Sequence, residues 1–253
     1  MPGPRVGIFG LTGCAGDQLV LLDCEDELLA LAGLVDIRDF LMASSARDRE
    51  SPLDVALVEG CVASRRDEER LQEIRQRARL LVALGTCAVC GGVPAMADDD
   101  EAARRARLAA VYGELGAVYD SLPPRALGEV VPVDLSLPGC PVEKDELLAL
   151  LAHLLAGHPP PPIEWPVCAD CRMAENRCLL VDGVPLCCGP LTLGGCKARC
   201  PGMGVPCQGC RGPIEDADPS AALAVFTQAG LSREQIESKL RTFSGRALSK
   251  ETP

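Results

Sequence analysis

Short apolar runs alternate with amphipathic segments along the first 157 residues of the chain. The apolar runs have the length of strands, and a proline in the last one indicates a strand start or a sheet edge. The predicted strands are residues 5–9, 53–58, 80–84 and 130–133. The predicted helices are residues 17–31, 65–79, 97–112 and 143–155. Because strands that alternate with helices form parallel sheets, this pattern predicts an α/β unit over residues 1–157: a flavodoxin-like parallel sheet with helices on both faces.

A run of prolines, Pro159 to Pro162, follows this unit. Consecutive prolines are extended and cannot continue a helix, so we place a domain boundary at residue 158. Residues 163–214 are rich in Cys, Gly and Pro and lack periodicity, which leaves them without an ordinary apolar core. The tail predicts two short helices within 219–243, with Ser232 and Gln235 in the positions of a capping box. The sequence therefore predicts a second, irregular, cysteine-rich unit over residues 158–253.

The charge balance and the hydropathy of the chain exclude several classes of protein. With a net charge of −11, the chain offers no basic face for nucleic acid or for an anionic membrane surface. No apolar run reaches the roughly 20 residues that a membrane-spanning helix needs. The first residues resemble a strand rather than a secretion signal. We therefore expect a cytoplasmic protein without nucleic-acid or membrane partners.

Fifteen cysteines are the most unusual feature of the composition. In a reducing compartment, so many thiols indicate metal binding more often than disulfides, and an odd number fits poorly with complete pairing. Cys14, Cys87 and Cys140 each follow a predicted strand, near a glycine that lets a bulky ligand approach the backbone. Because the carboxyl ends of parallel strands meet at one edge, we expect these thiols to bind metal together.

Eight cysteines of the second unit fall into two sets of four. The first set is Cys168, Cys171, Cys178 and Cys187, and the second is Cys196, Cys200, Cys207 and Cys210. Four thiols suit either a tetrahedral zinc ion or an iron-sulfur cubane, and the spacing alone does not separate the two. The Cys200-Pro201 pair resembles the end of ferredoxin-type runs, and zinc has no evident structural role at the sheet edge, so iron-sulfur is favoured.

These motifs together resemble those of the small, electron-transferring subunits of nickel-iron hydrogenases. The cysteine-rich run resembles more specifically the delta subunits of the cytoplasmic, bidirectional NAD(P)-linked enzymes, also called sulfhydrogenases. The resemblance covers roughly residues 5–214 and rests on LTGCAG at 11–16, VEG at 58–60, GTCA at 85–88, PGCP at 138–141 and the cysteine-rich run 187–213. It implies an oxidoreductase subunit that carries three [4Fe-4S] clusters and has no nickel ligands. The implied partners are a large subunit with the Ni-Fe centre, a flavin- and NAD(P)-binding diaphorase subunit and a ferredoxin-like subunit.

The resemblance also implies which residues bind each cluster. The proximal cluster would be bound by Cys14, Asp17, Cys87 and Cys140, the medial cluster by Cys196, Cys200, Cys207 and Cys210, and the distal cluster by Cys168, Cys171, Cys178 and Cys187. Family order, rather than spacing, distinguishes the medial set from the distal one.

Asp17 stands where most members of the family have a second cysteine. We expect its carboxylate, a harder ligand than a thiolate, to bind iron of the proximal cluster. The alternative is an aspartate that caps the following helix, in which case Cys61 or Cys90 would complete the site. Glu59 closes the second strand and is a candidate proton relay, with orientation of the loop as the alternative role.

Two other functions remain open. One is the small subunit of another cytoplasmic hydrogenase branch, linked to deazaflavin or to a heterodisulfide reductase. The other is a zinc-stapled adaptor protein, which metal analysis would distinguish from an iron-sulfur protein.

Overall fold

The computed structural model describes residues 3–24, 27, 33–45, 47–96, 100–114, 120–215 and 218–244. Its strands are β1 (Arg5–Gly10), β2 (Asp36–Phe40), β3 (Leu53–Glu59), β4 (Ala78–Leu84) and β5 (Leu135–Leu137). They form a parallel sheet in the order β2-β1-β3-β4-β5. This is the strand order of flavodoxin-like folds, and the predicted fold class is confirmed.

The helices of the first unit are α1 (Gly16–Leu22), α2 (Arg65–Arg77), α3 (Gly85–Cys90), α4 (Glu101–Tyr112) and α5 (Lys144–Leu155). The predicted helix 17–31 is confirmed as far as Leu22 and is wrong directly beyond it, because Asp23 caps the helix and Cys24 is not helical; residues 25–26 and 28–32 lie outside the described residues, as do 97–99 of the predicted helix 97–112. Helix α2 ends two residues earlier than predicted because Ala78 and Arg79 already belong to β4.

Residues 130–133 do not form the predicted strand, and β5 begins at Leu135 instead. Pro132 has no N–H to donate to a neighbouring strand. Asp134, just before β5, makes the first hydrogen bonds to β4: its N–H donates to Leu81 O at 3.0 Å, and its carboxylate accepts from Leu81 N at 2.7 Å. Val131 is buried in the core as part of a turn.

Apolar cores lie on both faces of the sheet. On one face, Leu71 and Ile74 of α2 pack against Leu81 of β4. On the other face, Leu21 of α1 and Leu147 of α5 pack into a core with inward-facing residues of β1, β3 and β4. Covering both faces with helices leaves the carboxyl edge of the sheet as the place where its loops converge.

The second unit contains the short helices α6 (Val167–Met173) and α7 (Arg199–Gly202), followed by α8 (Pro219–Gln228) and α9 (Arg233–Ser244). Phe226 of α8 and Ile236 of α9 are buried against the cysteine-rich segment and complete a third core. The predicted capping box is confirmed, because Ser232 N donates to Gln235 Oε1 at 2.9 Å and Gln235 N donates to Ser232 Oγ at 3.2 Å.

The two predicted units are in contact: α9 packs against residues 93–96 and against α3. The boundary at residue 158 stays a prediction. Among the described helices, none has the length and apolar composition to cross a membrane.

Candidate metal centres

The carboxyl edge of the sheet brings the predicted proximal residues close together. Burial, together with the charges of Cys61, Cys140, Asp17 and Cys14, raises the pKa of the Cys87 thiol to about 12. Burial also raises the pKa of the Cys140 thiol to about 11, with Asp17 and Cys14 again among its charged neighbours. A charged group shifts the pKa of another group only when the two are close together. The loops after β1, β4 and β5 therefore direct their polar side chains to a common place.

Asp17 lies in the first turn of α1 but does not cap that helix. The N-cap residue is Ala15, in the left-handed region at φ 63°, without a side-chain cap. The Asp17 carboxyl is buried and points across the edge, where its Oδ1 accepts a hydrogen bond from Val142 N at 2.8 Å. A Cβ at Gly85 would lie only 1.8 Å from Asp17 Oδ2, so the close approach of the carboxylate requires glycine there. Burial is the main reason that the pKa of Asp17 rises to about 6.

Glu59 anchors the loop that carries Cys14. It is 3% exposed, and its Oε2 accepts a hydrogen bond from Gln18 Nε2 at 2.6 Å. Burial raises the pKa of Glu59, and hydrogen bonds from Gln18 and from the backbone of Ala15 and Asp17 oppose that rise. The carboxylate thus satisfies the open N–H groups at the start of α1, which the helix itself leaves without partners.

Of the two alternative proximal ligands, Cys61 lies nearer to the site. Its sulfur donates to Thr12 O at 3.4 Å, and its charge raises the pKa of the Cys87 thiol, which follows β4. Cys90 is directed elsewhere: its sulfur donates to Thr86 O at 3.4 Å and to Phe243 O at 3.3 Å, between α3 and α9. Cys90 therefore contributes to the packing of the C-terminal helix.

The four predicted distal thiols are close enough to influence one another, and two of them lie beside Gly189. Burial and the charges of Cys187, Cys171 and Cys178 raise the pKa of the Cys168 thiol to about 11. A Cβ at Gly189 would lie 3.2 Å from the sulfur of Cys168 and 3.6 Å from that of Cys187. The missing side chain at this position leaves space beside the thiols.

The structure brings three of the four predicted medial residues together. Burial raises the pKa of the Cys210 thiol, and the charges of Cys196 and Cys200 raise it further. Cys207 is buried next to Cys188 and Cys187 instead. Its backbone N–H donates to the sulfur of Cys187 at 3.2 Å, so it lies against the predicted distal set.

The proximal and medial sets adjoin each other. A hydrogen bond from the Cys140 backbone opposes the rise that burial causes in the pKa of Cys210. Thr86, which is 1% exposed, joins the same two loops. Its hydroxyl oxygen accepts from Gly139 N at 3.0 Å, and its hydroxyl donates to Cys210 O.

The chain also matches known proteins along its length. A family model described as NADH ubiquinone oxidoreductase, 20 kDa subunit, matches residues 14–154. The chain is 40% identical over 240 residues to sulfhydrogenase 2 subunit delta of Pyrococcus furiosus, covering 95% of this chain and 99% of that protein. It belongs to this oxidoreductase family, in the branch of the hydrogenase small (delta) subunits.

Two further comparisons agree with this assignment. A vhu subunit of the F420-non-reducing hydrogenase of Methanocaldococcus jannaschii is 30% identical over 269 residues, with 93% of this chain and 92% of that protein covered. A chain in a crystal structure of NAD+-reducing [NiFe]-hydrogenase in the H2-reduced state is 31% identical, with a TM-score of 0.54, covering 63% of this chain and 96% of that chain. The resemblance drawn from the sequence motifs is confirmed.

The donor sets of this hydrogenase small subunit fit a polynuclear cluster. A tetrahedral zinc ion needs thiolates about 3.8 Å apart, given Zn–S bonds of about 2.3 Å. Among the described residues, no three His, Cys, Asp or Glu side chains are close enough to hold a single metal ion. The missing Cβ of Gly189 leaves space beside the sulfurs of Cys168 and Cys187. The donor chemistry of the three sets, which is mostly thiolate, fits iron-sulfur clusters, because cysteine thiolates are their usual ligands.

Sequence reasoning missed three residues that hold these sites in place: Gln18, Thr86 and Arg211. Arg211 follows Cys210 and is 2% exposed. Its Nη1 donates to Glu146 Oε2 at 2.6 Å and its Nη2 to Glu146 Oε1 at 3.1 Å, which ties the medial set to α5. The position of Thr86 beside Cys87 within the GTCA motif is the only local indication of such a role.

Proposed function

We propose that this chain conducts electrons as the small subunit of a [NiFe] hydrogenase. It would link the H2-activating centre of a large subunit to a flavin- and NAD(P)-binding diaphorase partner. The observation that carries the proposal is the contact between the loops of Cys140 and Cys210. Because electron transfer between redox centres falls steeply with distance, two adjoining thiol sets form a natural first step of such a path.

We assign three [4Fe-4S] clusters to the three sets. The proximal ligands are Cys14, Asp17, Cys87 and Cys140, the medial ligands Cys196, Cys200, Cys207 and Cys210, and the distal ligands Cys168, Cys171, Cys178 and Cys187. Each cluster, when bound, takes up and releases single electrons. For Cys207, this assignment requires its side chain to turn from Cys187 towards Cys210 when iron is bound.

The remaining residues of the site hold its geometry. Asp17 is supported as the fourth proximal ligand by its orientation away from its own helix and by its second oxygen, which faces Gly85. We assign Glu59 the orienting role rather than that of a proton relay, because its carboxylate already accepts hydrogen bonds from Gln18 and the loop backbone. Thr86 fixes the distance between the proximal and medial loops.

The proposed partners follow from the relatives. The delta subunit of a sulfhydrogenase and the NAD+-reducing enzyme support a diaphorase and a ferredoxin-like subunit beside the large subunit. The similarity to a subunit of an F420-non-reducing hydrogenase supports a second candidate, in which another electron acceptor replaces the diaphorase. Purifying the complex and identifying its subunits would separate the two. A cytoplasmic location suits fifteen cysteines, none of which is paired in a disulfide among the described residues.

Metal analysis of the anaerobically purified complex tests the cluster assignment. Three cubanes in this chain require about twelve irons with matching sulfide, beyond the iron of the partner subunits. Zinc in place of iron in this chain would contradict the proposal and support the adaptor alternative.

Asp17→Cys tests the proximal ligand set. Thiolate is a softer and more covalent ligand than carboxylate, so we expect a changed paramagnetic resonance spectrum and a shifted reduction potential of the proximal cluster. Asp23→Cys is the matched control, because Asp23 lies at the other end of the same helix. An Asp17→Cys protein with the spectrum and potential of the wild type would show that Asp17 is not a ligand.

A further inference from the structure

A pocket outside the proposed cluster sites is lined mainly by arginines. It has a volume of about 240 Å³ and lies between α2, β2 and the segment after β2. We call it the arginine pocket; its arginines are Arg47, Arg49, Arg66, Arg70 and Arg77. They outnumber the acidic residues of its wall, Asp39, Glu69 and Glu73, although the chain as a whole has a net charge of −11. None of the proposed cluster ligands lines the pocket.

Most of these arginine side chains are not used by the fold. Arg77 is, because it donates to Ser51 O at 3.1 Å and to Asp48 O at 2.7 Å. The side chains of the other four make no hydrogen bond or ion pair with any residue that the structure describes. Solvated arginines are common on surfaces, so this observation alone defines no site.

Asp39 supplies the second observation. It belongs to β2, is 5% exposed and forms part of the pocket wall. Its Oδ1 is buried and has no hydrogen-bond partner in the described structure. Burial raises the pKa of Asp39, and the charges of Arg70, Arg47, Arg77 and Arg49 oppose that rise without donating a hydrogen bond. A buried acceptor without a donor is rare in folded proteins and calls for an explanation.

The two observations together restrict the ligand. Guanidinium groups bind oxyanions through paired hydrogen bonds, and the field of several arginines attracts anions. An acceptor in the wall, however, repels a fully deprotonated anion and favours one that carries a hydrogen-bond donor. Hydrogen phosphate has a P–OH group at neutral pH, and a sugar phosphate has neighbouring hydroxyls. Sulfate and the carboxylates of an acidic peptide have no such donor.

We propose that the arginine pocket binds a phosphate group, as hydrogen phosphate or as the phosphate of a hydroxyl-bearing monoester, with the arginines on its oxygens and Asp39 accepting its hydroxyl. This function is separate from electron transfer and does not depend on the cluster assignment. Arg70 and Arg47, whose charges act most strongly on Asp39, are the expected anion ligands.

Calorimetric titration of the purified complex tests this proposal, with inorganic phosphate, sulfate and ribose 5-phosphate compared at equal ionic strength. We expect phosphate or the sugar phosphate to bind at least about tenfold more tightly than sulfate, since a hydrogen bond to a charged group typically contributes that much. Arg70→Gln should weaken phosphate binding about 10- to 100-fold for the same reason. Arg65→Gln is the matched control, because Arg65 is on the same helix, is exposed and does not line the pocket.

Asp39→Asn tests selectivity apart from affinity. An amide can donate as well as accept, so this variant should bind sulfate nearly as well as phosphate. Visible absorbance of the clusters and thermal unfolding check that each variant is folded; Arg70→Gln, a change near the surface, keeps the test valid if Asp39→Asn does not fold.

Three results would overturn the proposal: no measurable binding of either phosphate or ribose 5-phosphate, sulfate binding as tight as that of both, or unchanged binding of the tighter phosphate ligand by Arg70→Gln. If the wild-type complex does not bind phosphate and the Arg70→Gln complex loses one of its subunits, the pocket binds an acidic surface of a partner instead.

Discussion

The ion pair between Arg211 and Glu146 gives the sharpest test of how the two units are joined. The Arg211 side chain is 1% exposed, and both of its terminal nitrogens donate to the Glu146 carboxylate. Its Nε also donates to Leu193 O at 3.2 Å. We predict that Arg211→Met and Glu146→Leu each destabilise the chain strongly, whereas the double variant is much less affected.

The magnitudes follow from the cost of an unpaired buried charge. Removing one partner of a buried pair costs about 3–5 kcal/mol, whereas replacing both by apolar side chains is often close to neutral. The double variant still leaves Leu193 O without its donor, which costs about 1–3 kcal/mol. The losses of unfolding free energy in the two single variants should therefore add up to several kcal/mol more than the loss in the double variant. Burial raises the pKa of Glu146, and the charge and hydrogen bond of Arg211 oppose that rise.

The two single variants should also differ in their dependence on pH. In Arg211→Met, the Glu146 carboxyl, whose side chain is 17% exposed, can take up a proton and become neutral, but in Glu146→Leu the buried guanidinium stays charged. The folded-state pKa of Glu146 then lies further above its ordinary value of 4.5. The stability of Arg211→Met should be retained below pH 4.5, the ordinary pKa of Glu146, and should fall as the pH rises through the folded-state pKa.

Anaerobic denaturant unfolding of the full chain, followed by circular dichroism, measures these effects in a double-mutant cycle. Lys197→Met and Asp145→Leu provide the matched cycle, because that pair joins the same units at 2.7 Å but is largely exposed, and its coupling should be within about 1 kcal/mol. Additive effects of Arg211→Met and Glu146→Leu would refute the reasoning.

Three further predictions concern single side chains, with unfolding measured in the same way for the first and third. Thr86→Val should cost about 2–6 kcal/mol, because it leaves the two buried groups that Thr86 bonds unpaired, whereas Thr86→Ser should cost about 1 kcal/mol. Glu59→Gln should leave the pH profile of hydrogenase activity unchanged, since an orienting residue moves no proton; a shifted profile would favour a relay. Leu71→Ala, at 0% exposure, should cost about 2–5 kcal/mol, and Leu19→Ala, at 48%, less than about 0.5 kcal/mol.

The sequence predicts strands well where they are buried on both faces. Leu57 and Val58 of β3 are 1% and 0% exposed, and such strands appear as continuous apolar runs. The prediction fails at the sheet edges. Within the described sheet, β2 is the edge strand beside β1, so it tolerates Asp36 and Arg38. Its polar positions do not form a continuous apolar run, which is why the sequence pattern does not predict it. At the other edge, the apolar residues 130–133 before β5, of which Val131 is buried, resemble a strand although they form none.

The candidate ligands could be located from sequence because topology alone gathers the carboxyl ends of parallel strands. The residues that hold them could not, since they act through partners remote in the chain. Gln18 bonds a residue 41 positions away, Thr86 one 124 positions away and Arg211 one 65 positions away. No local pattern encodes such pairs, and only the folded chain shows them.

One part of the joint between the predicted units is polar, and this bears on how electrons could cross it. The acidic start of α5 meets basic residues of the cysteine-rich segment in three pairs: Lys197–Asp145, Arg199–Glu143 and Arg211–Glu146. Apolar surfaces can slide past one another at little cost, whereas hydrogen-bonded pairs fix one register. Of these three, only Arg211–Glu146 is buried, so it dominates the energetics, and the exposed pairs contribute little. Loosening it should therefore slow electron transfer between the proposed proximal and medial clusters more than between the proposed medial and distal clusters, which lie within the same predicted unit.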